Sequence, residues 1–227
     1  MNTKRWIALV AAAVLLFFSL GLNTIMAVFT TDFFSSFESA FDVTESTVYE
    51  TPIENGAMDN RIALVSVEGT ILDVGSGSWW EEVQYNHQGF MAQLDSILND
   101  DTVKGVVLEV NSPGGGVIES AEIHEKLVQI KEQREIPIYV SMGTYAASGG
   151  YYIAAPADKI FAQKETITGS IGVIMQAINY EELAEKVGIK FETIKSGQHK
   201  DMLGGSRAST EEEKAMLQEI IDESYED

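Results

Sequence analysis

The stretch VKGVVLEVNSPGGGVIESAEIHEKLVQIKEQ, residues 103–133, decides the fold. Its first eight residues are an apolar run of strand length, Asn111 to Gly116 form a glycine-rich turn, and residues 117–133 repeat with helical period. Glu and Lys three or four apart mark the wet face of that helix. Working outward, IALVSVEGTIL (62–72) alternates as a strand and FMAQLDSIL (90–98) is amphipathic. PIYVSMG (137–143) is another apolar strand, and AASGGYYIAAPA (146–157) begins with small residues and turns into a helix. DKIFAQ (158–163), ITGSIGVI (167–174) and KFETIKSG (190–197) read as strands, and YEELAEKVG (180–188) as a short helix closed by Gly188. The segment from Ser209 to Asp227 reads as a helix capped by Ser209 or Thr210. Apolar strands alternating with helices predict a largely parallel α/β architecture.

The charge balance narrows the function. Among 227 residues, 35 Asp and Glu face 15 Lys and Arg, a net charge of −20. Phosphate affinity comes from Lys and Arg, so a nucleic-acid partner is excluded as the default. With no Cys there is no disulfide framework, thiolate nucleophile or Cys-based zinc site. The three imidazoles, His87, His124 and His199, lack metal-ligand spacing, and no metal or cofactor is expected.

The N-terminus predicts a membrane connection. After Lys4 and Arg5, residues 6–22 carry no charge, and the apolar run resumes at 25–29. Such a run is long enough for a helix across a hydrocarbon core of roughly 30 Å. The basic pair would hold the N-terminus inside and send the remainder to the extracytoplasmic side. The competing expectation is a signal cleaved near Ser19 to Gly21, with an N-terminus at Leu22; the apolar run continuing past that site favours the anchor. Residues 1–5 then form a cytoplasmic tip, 6–29 a single-pass transmembrane anchor, 30–60 an acidic stalk and 61–227 the catalytic domain. Residues 32–60 hold seven acidic residues and no basic one.

Three glycine-bearing turns follow strands, where open α/β folds build their sites. Gly114 to Gly116 is not a phosphate loop, because no Gly-Lys-Ser/Thr follows. Ser148, before Gly149 and Gly150, is either a helix cap or a nucleophile whose small neighbours let backbone N–H groups approach an oxyanion. Ser196 to Asp201 supplies His199 or Lys200 as base, with Asp201 as a possible orienter of His199, or else a plain loop charge pair. A lysine base needs a neutral amine, which burial favours by penalising the charged form. Ser170 either holds such a lysine or lies buried in a strand, bonded to backbone.

Four motifs, NSPGGGV (111–117), YAASGGYYIA (145–154), TGSIGV (168–173) and SGQHKD (196–201), in this order and spacing, resemble the short single-domain form of the signal peptide peptidase A (SppA) family. The resemblance runs from about Arg61 to Arg207. It implies a ClpP/crotonase-like spiral of ββα units, Ser148 as nucleophile, Lys200 as general base, Ser170 as the hydroxyl orienting the lysine, and Gly149 and Gly115 N–H groups as the oxyanion hole. It also implies a membrane-anchored serine endopeptidase acting on apolar remnant signal peptides. Assembly would be a homo-oligomeric ring, in some members completing the dyad across subunits. Relatives continue past the helix ending at Asp227, so the peptidase domain reads as C-terminally truncated. The alternatives are a crotonase-like acyl-CoA-binding enzyme, which leaves the Ser148 and Lys200 pairing unexplained, and a non-catalytic membrane scaffold. The helix residues Ile118, Ile123, Leu127 and Ile130 are expected to leave apolar surface for a subunit interface.

Overall fold

The computed structural model describes residues 16–20, 48–73 and 85–226. The chain divides into two compact units, Met1–Tyr49 and Glu50–Asp227. In the first, residues 16–20 are helical and exposed. Most of the expected anchor over 6–29 and most of the stalk lie outside the described residues, and among the described residues no helix is long and apolar enough to cross a membrane.

The second unit is built on a parallel sheet. Its strands are β1 (Arg61–Glu68), β2 (Val103–Ser112), β3 (Ile138–Ala147), β4 (Lys159–Phe161) and β5 (Ile167–Gly169). The helices are α1 (His87–Asn99), α2 (Val117–Arg134), α3 (Gly149–Tyr152), α4 (Glu181–Lys186) and α5 (Glu211–Glu226). The order is β1-β2-β3-β4, all parallel, as the alternation of apolar strands and helices predicts. Along one edge of β3, Tyr139 to Ser141 pair with β4, whereas Tyr145 to Ala147 pair with β5.

Strand periodicity sends Val65, Val67, Val106, Leu108, Val110, Ile138 and Val140 inward, against Leu94 and Ile97 of α1 and Ile123, Leu127 and Ile130 of α2. The opposite face leaves Ile62, Leu64 and Tyr139 partly exposed beside a Ser66 hydroxyl donating to Glu109 at 3.0 Å. Arg134, in the last turn of α2, donates to the Ile97, Leu98 and Asp100 carbonyls, satisfying acceptors that α1 leaves open at its end.

Several elements differ from expectation. β1 ends at Glu68, and Ile71 makes a separate parallel bridge to Gly115. β3 runs on to Ala147, and the helix expected beyond it is a single turn. The 167–174 strand stops at Gly169, because Gly169 and Ser170 both take positive φ, 83° and 54°. Residues 190–197 form no strand: they are exposed and have no ladder partner, and backbone groups without a neighbour stay with water. The expected apolar face of α2 is also corrected. Ile123, Leu127 and Ile130 are at most 1% exposed, because the sheet and α1 cover them, and only Ile118, at 72%, is free.

That contrast predicts stability. Leu127→Ala should cost about 2–5 kcal/mol in urea unfolding, whereas Ile118→Ala should stay within about 0.5 kcal/mol.

Candidate active site

The sheet register builds the site. The carboxyl end of β3 lies between Ser112, which pairs with Ala146, and Gly169, which pairs with Ala147. The next residue, Ser148, donates its N–H to the Gly169 carbonyl at 2.8 Å. Ser148 stands at φ 53° and ψ −126°, a conformation that non-glycine residues adopt at a cost of about 1–3 kcal/mol. Its carbonyl accepts from Tyr151 and Tyr152 and so starts α3, but its side chain makes no cap bond. The hydroxyl of this half-buried serine is thus not used as a helix cap.

The glycine turn comes up against this serine. Ser112, fully buried, accepts the Gly114 N–H on its hydroxyl at 3.1 Å, bending the chain at Gly114, φ 102°. A Cβ on Gly114 would meet Ser148 Cβ at 2.7 Å and the Gly149 nitrogen at 2.8 Å, so only glycine fits. Ile71 clamps the turn from outside, donating to the Gly114 carbonyl at 3.0 Å and accepting from Gly116 at 2.8 Å. Between these two bonds the Gly115 N–H carries no hydrogen bond among the described residues, and neither does the Gly149 N–H at the start of α3. The two are neighbours: the Gly115 nitrogen lies 3.4 Å from where a Gly149 Cβ would stand. Two open N–H groups beside a serine suit a developing oxyanion.

Ser170 follows the Gly169 that holds Ser148. It is exposed at the end of β5, which corrects the expectation of a serine buried in a strand. The structure therefore brings Ser148, Gly149, Gly115 and the backbone bearing Ser170 together. Lys200 stands apart: it is exposed, its N–H reaches the Gly197 carbonyl at 3.4 Å, and no hydrogen bond or ion pair among the described residues links its turn to Ser148 or Ser170. His199 belongs to another cluster, with Nδ1 at 3.5 Å from Glu213 and Nε2 at 3.8 Å from Glu212. The Asp201 carboxylate, a possible orienter of His199 in the sequence, instead accepts from Arg207 and Lys195.

The other imidazoles serve packing. His87 is buried with Nδ1 2.7 Å from the Tyr85 hydroxyl and Nε2 2.6 Å from Glu122. Burial pushes the Tyr85 phenol up, as do the nearby Glu119, Asp73 and Glu122 charges. His124 stacks on Tyr152 with ring centroids 4.5 Å apart, and burial lowers its pKa. A cleft of about 490 Å³ lined by Asp73, His87, Glu122 and Glu125 shares no residue with the serine cluster, whose chemistry lies at the sheet edge. Among the described residues no group of His, Asp and Glu has the arrangement of a metal site.

Sequence reading passed over Ser112 and Ser120. Ser120, nearly fully buried on α2, bonds the Gly116 carbonyl at 2.8 Å and would stand 2.3 Å from a Gly149 Cβ. A serine two residues before a glycine is a local turn signal that could have marked the first. The second has no signal short of the tertiary contact.

Residues 130–227 match the model of peptidase family S49, a span that includes Ser148, Ser170 and Lys200. A candidate signal peptide peptidase SppA of Enterococcus faecium is 44% identical over 237 aligned positions, covering 99% of this chain and 66% of that protein. A candidate protease of Methanocaldococcus jannaschii is 46% identical over 134, covering 59% of this chain and 42% of that one. This chain thus spans about two thirds of the first relative and less than half of the second. Among solved structures, a mutant of the 1510-N membrane-bound stomatin-specific protease in complex with a substrate peptide aligns with TM-score 0.40 and 21% identity, covering 52% of this chain and 48% of that one.

The glycine turn gives a direct test. A Cβ at Gly115 would lie 1.9 Å from the Ile71 carbonyl oxygen. Gly115→Ala should speed hydrogen exchange at the Gly116 and Ile71 amides, and should slow fluorophosphonate labelling of Ser148 by about a hundredfold or more.

Proposed function

Because the chain carries a peptidase family S49 domain, we propose that it is a membrane-anchored serine endopeptidase of the ClpP/crotonase-like fold that degrades remnant signal peptides with a Ser148–Lys200 dyad. The observation that carries this reading is the strained Ser148 with an uncapped hydroxyl, set beside two open N–H groups. Acyl transfer needs a nucleophile, a base and an oxyanion site. Ser148 attacks the scissile carbonyl, and its hydroxyl proton passes to the neutral Lys200 amine. The Gly115 and Gly149 N–H groups hold the resulting oxyanion. Lys200 then gives the proton to the leaving amine, and water, deprotonated by the same lysine, hydrolyses the acyl-enzyme. Ser170 accepts from the lysine and aims it. His199 is turned toward α5, with Nε2 3.8 Å from Glu212 and Nδ1 3.5 Å from Glu213, which favours Lys200 as the base.

In the single chain Lys200 makes no bond to the serine cluster, which supports delivery of the lysine in an assembly. The segment leading to it carries an apolar surface that a monomer leaves to water: Ile171 is 69% exposed, Ile174 81%, Ile178 82% and Ile194 96%. Exposed apolar surface of this extent marks an interface, and a ring of copies would cover it. Apolar substrates released in the bilayer would suit an enzyme anchored there through residues 6–29, with the catalytic domain on the extracytoplasmic side.

The dyad is tested by substitution. Ser148→Ala and Lys200→Ala should each abolish cleavage of an apolar peptide, Ser170→Ala should cost less, and His199→Ala should leave most of the activity. The rate should keep rising with pH above the range where a histidine base with a pKa of about 6.5 levels off. An active Lys200→Ala beside a dead His199→Ala would reverse the assignment. Light scattering of the protein in detergent should give a multimer, and a fully active monomer would sink the ring.

A further inference from the structure

Resting on Lys200 as the base, we propose that Arg207 is a positioning residue that withholds the Asp201 carboxylate from Lys200. Asp201 follows Lys200 directly, and a carboxylate close to a lysine favours the ammonium form, which cannot accept a proton. The dyad therefore carries a built-in opponent one residue away.

The structure shows where that charge goes. Arg207 takes Asp201 in a two-armed grip, Nε to Oδ2 at 3.0 Å and Nη2 to Oδ1 at 2.6 Å, and Lys195 Nζ adds a third donor at 2.5 Å. The planar guanidinium fork suits both oxygens at once, which an ammonium does not. Arg207 is itself anchored, because Nη1 and Nη2 also donate to the Glu213 carboxylate at 2.8 and 2.5 Å. Glu213 is only 1% exposed. It also accepts the Thr210 N–H at 2.8 Å while the Thr210 hydroxyl accepts its own N–H at 3.2 Å, a capping box at the start of α5. The Ala208 N–H donates to Glu181 of α4 at 3.0 Å, tying the same segment to a second helix.

The charged groups around this cluster come from four places: Lys195 from the segment before the turn, Arg207 from the loop, Glu212 and Glu213 from α5, and His199 from the turn itself, with Glu181 of α4 against the Ala208 N–H. Hydrogen bonds from Arg207, then from Lys195, hold the Asp201 carboxyl well below the usual carboxylate range. The same arginine first, then the Thr210 N–H, lowers Glu213 to about 2. Asp201 is consequently ionised across the working range, and freeing it would place a full negative charge beside the base.

The experiment reads the lysine directly, without activity. In the full chain carrying Ser148→Ala, amine acylation is followed against pH and the Lys200 peptide is quantified by mass spectrometry. Arg207→Gln should move the pH of half-maximal Lys200 reactivity upward by about one unit, a tenfold loss of neutral amine at fixed pH. Asp201→Asn should move it downward, and the double variant should lie below Arg207→Gln. An unmoved midpoint in Arg207→Gln, an upward shift in Asp201→Asn, or a double variant equal to Arg207→Gln would overturn the proposal. Failure of the base assignment would show separately, as peptide turnover by Lys200→Ala with Ser148 intact.

Discussion

One hydrogen bond organises the site: the Ser148 N–H on the Gly169 carbonyl, 2.8 Å long, at the point where β3 stops being a strand. β5 pairs with β3 over Tyr145 to Ala147, so this bond continues the ladder by one step while the serine turns out of it. On the other side β2 shifts register between Val110 and Ser112, and the shift lets Ser112 reach Ala146. Ser148 is thus held by β5 directly while β2 fixes Ala146 two residues before it, which is what allows a non-glycine residue to persist at φ 53°. The surrounding glycines follow from the same compression. A Cβ on Gly150 would come within 2.7 Å of the Ser112 carbonyl oxygen, and one on Gly114 within 2.7 Å of Ser148 Cβ. Small residues here record how closely three backbone segments approach, and that approach brings the Gly115 nitrogen to 3.4 Å from where a Gly149 Cβ would stand.

The parts of the fold legible in the sequence are those whose signal is local. Val103 to Ser112 and Val117 to Arg134 were readable because strand and helix periods meet at a glycine turn, and they form β2 and α2. Thr210 could be read as a cap because Glu213 stands three residues on, and the bonds run both ways. The parts that misled depend on neighbours far away in sequence. Residues 190–197 have strand composition, but a strand exists only with a partner, and none faces them. The α2 face was read as spare apolar surface because the sequence does not disclose that α1 and the sheet close over Ile123, Leu127 and Ile130.

The site divides along the same line. Small residues at strand ends marked the turns that carry Ser148, Gly149 and Gly115, whereas the roles of the two glycines came only with the family resemblance. The charged residues were less so. His199 and Lys200 are adjacent, and Asp201 lies too close in sequence to His199 to orient it easily; in the structure the imidazole stands against the acidic start of α5. Arg207 carried no signal, since an arginine six residues after an aspartate is unremarkable until a buried Glu213 fixes it.

The two halves of the catalytic unit are held by different physics, and that difference bears on how the proposed enzyme would be switched on. Residues 61–73 and 85–161 are ordered by burial, with Leu108, Ile123 and Ile130 fully withdrawn from water. Residues 195–213 are ordered by ion pairs and a capping box, interactions that fix local shape but contribute little net burial. Between them, Ile171, Ile174, Ile178, Leu183, Val187 and Ile194 remain largely exposed. Burying each such side chain is worth about 1.5–3 kcal/mol, so the segment holds its largest unrealised stabilisation in the surface next to the lysine turn. In the proposed ring that surface would be covered by a second copy. Covering it would immobilise the turn bearing Lys200, so that assembly and completion of the dyad become one event. A lone chain would then keep a finished oxyanion site and an aimed serine without a base, and peptide cleavage would depend on the concentration of copies in the membrane.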